Sequence, residues 1–351
     1  MRNRRGTGRV TLADVAKHAS VSPMTASRVL SNASSVSLEM RERVMRAVEV
    51  LGYIPDVSAR ALASSRTGVV YLLSTIEDIP WVEKSAGTLI KGLSGDGLRL
   101  RLLVFQGNPD EDRLLIAECL GQSPAGLIIT RTPEHAGLDK LLENANCPVV
   151  TAMDMPSQPL NPSIGFRPDR VGSLAAGHLI DMGYRNIGLL IPKPDWRVLA
   201  RVEGYREALT NAGLFRRELI ATSEDCGSER TGAELLARLK REYPELDAVC
   251  CYNDHMALGA LFEANRMGLD VPDDLGICGF GGLEALSVSE PGITTFLPNL
   301  LEVAESIAKF LVSSYKGDTA AKLAPAGDFE IIVRRSTSRR HSSSGVPAAA
   351  Q

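Results

Sequence analysis

The sequence has few aromatic residues and lacks any long apolar run. Aromatic side chains make up 5% of the 351 residues, although 44% of the chain is hydrophobic. A membrane-spanning helix needs about 20 consecutive apolar residues, and the longest runs here, such as Gly188–Ile191, are only a few residues long. Membrane spans are therefore excluded. The basic residues 1–9 are not followed by the apolar segment of a secretory signal, so we expect a cytoplasmic protein.

Cysteine and histidine are sparse, and the familiar catalytic motifs are missing. The six cysteines and five histidines are scattered without a C-x-x-C pair or ligand spacing, which argues against a disulfide framework or a zinc site. The G-x-S-x-G, P-loop and H-E-x-x-H motifs are also absent. We expect core cysteines, no metal, no cofactor and no enzymatic activity. A sugar kinase or dehydrogenase is the enzyme alternative, which predicts turnover or nucleotide binding.

Charge is distributed unevenly along the chain. The formal net charge of the whole chain is −3. Residues 1–66 carry eleven Arg or Lys against five acids, a net charge of +6, whereas the remainder carries 28 against 37, a net charge of −9. Such asymmetry indicates a small head that binds a polyanion, attached to an acidic body.

Three short helices are predicted in the basic segment. Thr11 and Asp14 have the spacing of a capping box, which predicts a first helix of about ten residues. Ser22 followed by Pro23 is typical of a second helix start, with the hydroxyl as N-cap. A third helix is predicted over residues 37–51. This arrangement is that of a helix-turn-helix.

The predicted outward face of the second helix is small, polar and cationic. In a helix-turn-helix the start of this helix enters the major groove of DNA. Arg28 is suited to donate two hydrogen bonds to a guanine, Met24 to contact a thymine methyl, and Thr25 and Ser27 to bind phosphate oxygens. The alternative is an ordinary surface helix with a solvated arginine.

The stretch VTLADVAKHASVSPMTASRVL from Val10 to Leu30, followed by VS at 36–37 and GYIP at 52–55, resembles the lactose-repressor (LacI) family of bacterial transcription factors. The resemblance implies operator DNA as a partner. It also implies the following divisions: a flexible basic arm at 1–9, a helix-turn-helix domain at 10–55, a hinge at 56–66, an effector-binding and dimerisation domain at 67–336, and a disordered tail at 337–351.

In the family, the hinge folds into a short helix on the operator and wedges a leucine into the minor groove beside an alanine. The matching residues are Ala59 and Leu62. Asp56 departs from the family, where Asn is common, and a carboxylate cannot donate to a phosphate. The resemblance implies DNA contacts from Thr11, Ser22, Pro23, Met24, Thr25, Ser27, Arg28, Asn32, Ala59 and Leu62.

Beyond residue 67, short apolar strands alternate with amphipathic helical segments, which predicts an α/β body with parallel sheets. The family resemblance extends over this region and implies two lobes like those of a periplasmic sugar-binding protein, closing over a small ligand. The fold class is thus an all-α head on a two-lobed α/β body. The predicted strands are Val69–Ser74, Arg99–Phe105, Gly126–Thr130, Val149–Met153, Ile187–Ile191, Ala248–Tyr252 and Gly276–Phe280.

The resemblance also implies residues that contact the effector. The RVEGY stretch at 201–205 is similar to the family's R-x-x-G-aromatic motif, whose arginine reaches the ligand, which makes Arg201 the principal candidate. Asn253 and Asp254 match a pair at a strand end. Trp81 is a predicted stacking platform for a sugar ring. The implied effector contacts are Trp81, Arg131, Asp154, Phe166, Arg167, Arg201, Asn253, Asp254 and Gly281.

Two departures from the family and one further arginine point to an anionic effector. Gly281 stands where members that bind neutral sugars or purines have an aspartate, Arg167 stands where an acid is common, and Arg131 follows a predicted strand. Arginine binds carboxylates and phosphates through two nitrogens. Segments 241–247 and 271–275 resemble the gluconate-operon repressor branch, so a sugar acid such as gluconate is the leading effector. The alternatives are a neutral or phosphorylated sugar, with Arg131 and Arg167 as surface residues.

Together these features predict a homodimeric repressor of genes for carbohydrate uptake or catabolism, controlled allosterically by its effector. Two heads would read a pseudo-palindromic operator, because a two-fold dimer requires two-fold DNA symmetry. The Ser- and Ala-rich tail lacks heptad leucines, which argues against a coiled-coil tetramer. A solute-binding protein is a further alternative, but the basic head and the lack of a signal oppose it.

Overall fold

The computed structural model describes residues 10–30, 36–54, 67–131, 137–155, 161–324 and 329–339. The chain forms two compact units, Met1–Thr67 and Gly68–Gln351, which we call the head and the body. The division falls one residue after the predicted boundary between hinge and body. Predicted positions Asn32, Ala59 and Leu62 lie outside the described residues.

The head contains the three predicted helices, α1 (Leu12–His18), α2 (Pro23–Leu30) and α3 (Leu38–Leu51). The predicted capping box is present, because the Asp14 amide donates to Thr11 Oγ1 (3.3 Å) and the Thr11 amide donates to Asp14 Oδ2 (2.9 Å). These reciprocal bonds satisfy donors that the first turn of a helix leaves unpaired.

The first helix is shorter than expected, seven residues rather than about ten. It ends because Ser20 takes a left-handed conformation (φ 53°) that turns the chain toward α2. Arg43 from α3 donates to the carbonyl oxygens of Ala19 (2.6 Å) and Ser20 (3.2 Å), so this arginine stabilises the turn. The head core consists of Val15, Ala16, Ala19, Ala26, Val29, Val44 and Ala47.

The body contains two sheets, one in each lobe. The first lobe has a parallel sheet in the order β2-β1-β3-β4-β5, and the second has the order β11-β10-β9-β8-β6-β7, in which only the β10–β11 pairing is antiparallel within the described residues. The strands are β1 (Val69–Ser74), β2 (Arg99–Val104), β3 (Gly126–Ile129), β4 (Val149–Asp154), β5 (Ser163–Phe166), β6 (Ile187–Ile191), β7 (Ile220–Thr222), β8 (Ala248–Cys251), β9 (Gly276–Phe280), β10 (Thr294–Pro298) and β11 (Phe329–Ile332).

Helices cover the sheets. Strands β1 to β5 belong to the first lobe and β6 to β11 to the second, while residues 300–311 pack into the core of the first lobe. Among the described helices, none is both long enough and apolar enough to cross a membrane. The body helices are α4 (Ile79–Ser94), α5 (Pro109–Gly121), α6 (Leu138–Glu143), α7 (Pro168–Asp181), α8 (Trp196–Asn211), α9 (Glu229–Glu242), α10 (Asp254–Arg266), α11 (Ala285–Val288) and α12 (Leu300–Tyr315).

All seven predicted strands are present, and β1, β6 and β9 have the predicted bounds. Strands β5, β7, β10 and β11 were not predicted, and each contains only three to five residues. None of these four strands contains more than two consecutive apolar residues, so no continuous apolar run marks them in the sequence. Cys119, Cys250, Cys251 and Cys278 are buried core residues, as expected, whereas Cys226 is exposed.

The prediction of a disordered tail from residue 337 is wrong for its first residues. Ser336 and Thr337 are fully buried. The Ser336 hydroxyl donates to the Ile277 carbonyl (2.5 Å) and accepts from the Thr294 amide (2.9 Å). Arg339 lies over the Tyr184 ring at 4.1 Å. The segment contains few hydrophobic residues, so its sequence offers no indication that hydrogen bonds attach it to the second lobe.

Candidate functional site

A cavity of about 820 Å³ lies between the two lobes of the body. Its wall is formed by residues that follow the carboxyl ends of parallel strands in both sheets, the usual position of ligand sites in α/β folds. The lining residues are Asp78, Pro80, Trp81, Glu83, Lys84, Arg131, Met153, Phe166 and Leu300 from the first lobe, and Pro192, Lys193, Pro194, Asp195, Arg197, Val198, Arg201, Glu224, Cys226, Tyr252, Asn253, Asp254, His255, Phe280, Gly281, Leu283, Glu284 and Pro298 from the second.

Most of the predicted effector residues come together in this lining. They are Trp81, Arg131, Phe166, Arg201, Asn253, Asp254 and Gly281.

Arg167 lies outside the lining. Its exposed guanidinium instead forms an ion pair with Asp169, two residues further along the chain. The expectation that Arg167 faces the cleft is therefore corrected, because a local carboxylate holds the side chain at the surface. Asp154 ends β4, and its side chain is outside the described part of the structure.

Arg201 is fixed between two aromatic rings. Its guanidinium carbon lies 4.2 Å from the ring centroids of both Tyr252 and Phe280, and its Nη1 donates to the Tyr252 carbonyl at 2.5 Å. The side chain is only 7% exposed. Cation–π contacts with two ring faces stabilise a desolvated guanidinium. The rings and the Tyr252 carbonyl therefore fix the orientation of Arg201, which also lines the cavity.

Close helix packing sets the position of Arg201. A Cβ placed on Gly204 would lie 1.7 Å from the Asp169 carbonyl oxygen, and one on Gly172 would lie 2.0 Å from the Arg201 carbonyl oxygen. These glycines therefore let α7 and α8 approach until their backbones touch. The glycine of the R-x-x-G motif is required by this contact.

Asn253 and Asp254 begin α10. Asn253 caps the helix, because its Oδ1 accepts from the Met256 amide at 2.8 Å. Asp254 is 2% exposed and accepts from Thr295 Oγ1 (2.7 Å) and the Leu283 amide (2.6 Å). Burial raises the pKa of Asp254 above its usual value, although these hydrogen bonds oppose the shift.

The position of Gly281 requires a glycine-like backbone. Its φ is +125°, a value that side-chain-bearing residues rarely adopt. A Cβ there would lie 3.6 Å from Asp254 Oδ2. An aspartate at this position would bring a second carboxylate next to a buried one, so Gly281 keeps this part of the cavity less acidic.

Trp81 lines the cavity but is mostly enclosed by the first lobe. It is 3% exposed and belongs to the core cluster of that lobe. Its indole Nε1 is buried and has no hydrogen-bond partner among the described residues. The burial limits the area that Trp81 can offer as a stacking platform. Phe166 instead joins Phe280 and Phe329 in a set of ring contacts with centroids 5.1 to 5.7 Å apart.

A chain of four charged side chains crosses the cavity between the lobes. Arg131 Nη2, from the first lobe, lies 3.1 Å from Asp195 Oδ2 in the second. Asp195 Oδ2 also lies 3.6 Å from Arg197 Nε, and Arg197 Nη1 lies 3.7 Å from Asp78 Oδ1 in the first lobe. Lys84 adds a further link between the lobes, donating to the carbonyl oxygens of Gly281 (3.1 Å) and Gly282 (2.5 Å).

Sequence reasoning missed Arg197, Asp195 and Asp78. Asp78 follows β1, and the other two residues follow β6. Ligands of α/β folds bind at the carboxyl ends of strands, so this position could have identified all three as candidates. Asp78 also accepts from Thr75 Oγ1 (3.0 Å) and Thr130 Oγ1 (2.8 Å), which ties its carboxylate firmly to the first lobe.

Most of the residues around the start of α2 that are predicted to contact DNA are exposed on the head. Met24 is 65% exposed, and Ser22, Pro23, Ser27 and Arg28 are exposed as well. Some predicted hydroxyls already have local partners. Thr11 Oγ1 donates to Asp14 Oδ2 at 2.6 Å. Ser22 Oγ lies 2.9 Å from Thr25 Oγ1 and accepts from the Thr25 amide at 3.1 Å, so it caps α2 as predicted.

Comparison with known proteins agrees with both units. Residues 11–56 match the model of bacterial regulatory proteins of the lacI family, and residues 176–337 match the periplasmic binding protein-like domain. The chain is 32% identical to the HTH-type transcriptional regulator GntR of Pseudomonas aeruginosa over 96% of this chain and 98% of that protein.

Two solved structures share the architecture. A LacI-family transcriptional regulator from Silicibacter pomeroyi is 28% identical, with a TM-score of 0.84 over 94% of this chain and all of that one. The lac repressor dimer bound to operator and the anti-inducer ONPF is 25% identical, with a TM-score of 0.79 over 94% of this chain and 99% of the repressor. The chain therefore belongs to the LacI family and is a DNA-binding transcriptional regulator of the repressor type rather than an enzyme.

Proposed function

We propose that this regulator represses genes for carbohydrate uptake or catabolism and that a small sugar acid such as gluconate controls its binding to operator DNA. The observation that carries the proposal is the meeting of Arg131, Arg197 and Arg201 in one cavity between the lobes. Arginine binds a carboxylate through paired hydrogen bonds in a geometry that a hydroxyl cannot match. Arg197 lines the cavity, whereas Arg167, which was expected there, does not.

The charge of the cavity favours a singly charged ligand over a phosphorylated sugar. A phosphate monoester carries close to two negative charges at neutral pH, and here it would face several carboxylates. A sugar acid carries one. The basic lining residues are Lys84, Arg131, Lys193, Arg197 and Arg201, and the acidic ones are Asp78, Glu83, Asp195, Glu224, Asp254 and Glu284.

Other side chains of the cavity can bind the hydroxyl groups of a sugar acid. Asp78 and Asn253 are positioned at strand ends on opposite lobes and can bind ligand hydroxyls. Relatives named GntR among the similar proteins agree with the resemblance to the gluconate-operon branch. A neutral sugar is the second candidate, supported by the near balance of charges in the lining.

On the DNA side, we propose that a homodimer presents two copies of α2 to a pseudo-palindromic operator. The exposed face with Met24, Ser27 and Arg28 would read bases and phosphates. Ligand binding between the lobes would change operator affinity, and linkage requires that operator change ligand affinity by the same factor.

Gel shifts with DNA from upstream of the gene test this proposal. Gluconate and related sugar acids are expected to change the shift, whereas glucose and glucose 6-phosphate are not. Arg201→Gln should abolish the response because it removes a cavity guanidinium, and Arg167→Ala is the matched control because Arg167 lies outside the lining. A response to neutral or phosphorylated sugars alone would overturn the sugar-acid assignment.

A further inference from the structure

Asp195 occupies a position in the cavity where its carboxylate is shared by arginines from both lobes. Its Oδ2 lies 3.1 Å from Arg131 Nη2 and 3.6 Å from Arg197 Nε. Its Oδ1 accepts from the Val198 amide at 2.8 Å and caps α8. One carboxylate therefore has two roles, a helix cap through one oxygen and a counter-ion through the other.

The contact between Asp195 and the arginines is incomplete. Arg131 Nε is buried and has no hydrogen-bond partner within the described residues, so Arg131 does not hold Asp195 with the two-nitrogen fork that arginine prefers for carboxylates. The 3.6 Å separation from Arg197 exceeds hydrogen-bond length. A free ligand carboxylate, not constrained by the α8 cap, can approach the Arg131 guanidinium with the two-nitrogen geometry that Asp195 does not reach.

The second carboxylate of the network is held more firmly. Asp78 accepts from two threonine hydroxyls, Thr75 and Thr130, and its side chain is 10% exposed compared with 25% for Asp195. Displacement by a ligand entering the cavity is therefore expected at Asp195 rather than at Asp78. Capping of α8 through Oδ1 continues when Oδ2 loses its arginine contacts, so the exchange does not unfold the helix end.

From this geometry we infer that Arg131 and Arg197 form a carboxylate subsite that Asp195 fills in the ligand-free protein. Asp195 is thus an internal competitor that sets the affinity and the carboxylate selectivity of the cavity. The identity of the natural ligand rests on the proposed function, whereas the subsite itself can be tested without it.

Removing the internal carboxylate should open the subsite to small carboxylates. Asp195→Ser keeps a strong N-cap residue and leaves a space beside both arginines. Acetate is expected to raise the thermal unfolding midpoint of this full-length variant by at least about 2 °C, while acetamide and chloride at the same concentration do not. Wild type and Asp169→Ser are the controls, since Asp169 pairs with an arginine outside the cavity. Asp195→Gly, also an acceptable N-cap, is the second variant should Asp195→Ser fail to fold.

A second measurement addresses competition directly. Asp195→Asn keeps the cap oxygen and the side-chain size but removes the charge, so we expect it to bind gluconate about tenfold more tightly than wild type by calorimetry. Its affinity for glucitol, the neutral alcohol with the same carbon chain, should stay unchanged.

The outcomes separate the two proposals. Selective stabilisation of Asp195→Ser by acetate supports the subsite, even where wild type binds no sugar acid, a result that would remove only the proposed effector class. Absence of selective acetate stabilisation in the folded variants would overturn the inference. Weaker gluconate binding by Asp195→Asn would overturn it as well, because Asp195 would then be a ligand contact rather than a competitor.

Discussion

The packing of α7 against α8 makes Gly204 the most sharply constrained residue next to the cavity. A methyl group at this position would lie 1.7 Å from the Asp169 carbonyl oxygen and 2.5 Å from its carbonyl carbon. Both atoms belong to the backbone, so a side-chain rotation cannot relieve the overlap. Gly204→Ala can be accommodated only if the two helices move apart. Such a movement would also displace Arg201, which lies one turn before Gly204 on α8.

The expected cost follows from two opposing terms. Inserting a methyl into a closely packed contact usually costs about 1–3 kcal/mol, and a backbone-to-backbone overlap belongs at the upper end of that range. Alanine in place of glycine stabilises a helix interior by at most about 1 kcal/mol. The free energy of unfolding should therefore fall by about 2 kcal/mol, which corresponds to roughly 4–8 °C in the unfolding midpoint for a domain of this size.

Thermal and urea unfolding followed by circular dichroism measures this difference. Gly177→Ala is the matched control, because Gly177 lies on α7 of the same helix pair and a Cβ there would contact nothing within 4 Å. That variant should be as stable as wild type or more stable by up to about 1 kcal/mol. Gly204→Ala with wild-type stability, or a shared sign for both variants, would refute the packing argument.

Three further predictions concern the head, the second lobe and the chain end. Arg28→Ala should weaken operator binding by ~1–3 kcal/mol and relax selectivity at one base pair; fluorescence anisotropy with single-base operator variants measures this, and an unchanged preference would remove Arg28 from base readout. Burial lowers the pKa of His178 below its usual 6.5, so the unfolded state binds the proton more tightly and the free energy of unfolding should fall as pH drops from about 7 to about 5. His178→Gln should flatten that dependence in urea titrations, and an identical slope in the variant would contradict the assignment. Ser336→Ala leaves the Thr294 amide and the Ile277 carbonyl without their buried partner and should cost ~1–3 kcal/mol, whereas the exposed Ser338→Ala should have little effect; equal stabilities would rule out the anchoring role of Ser336.

Local signals made the head predictable. The Thr11 and Asp14 capping box and the Ser22 cap act within a few residues, and both are present in the structure. The turn after α1 lies at Ser20, as the sequence indicates, but the helix itself is shorter than the predicted length of about ten residues. In the body, seven of the eleven described strands were recognised, whereas β5, β7, β10 and β11, none longer than five residues, were not.

The site was only partly predictable, because its charges are arranged by tertiary contacts. Arg201, Asn253 and Gly281 were found through family motifs and line the cavity. The prediction that Arg167 contacts the effector was wrong, because the sequence alone does not show that its guanidinium forms an ion pair with Asp169. The pairing of Arg131 with Asp195 joins residues from different lobes, and no local pattern encodes such a contact.

Allosteric control is tested most directly by measuring the coupling between ligand and operator in both directions. Gluconate affinity is determined by calorimetry with and without a saturating operator duplex, and operator affinity by anisotropy with and without saturating gluconate. Both affinities should change by the same factor, and Arg201→Gln should lose the effect while still binding operator. Operator affinity that does not change with gluconate, in a protein that binds gluconate, would show that this ligand does not control DNA binding.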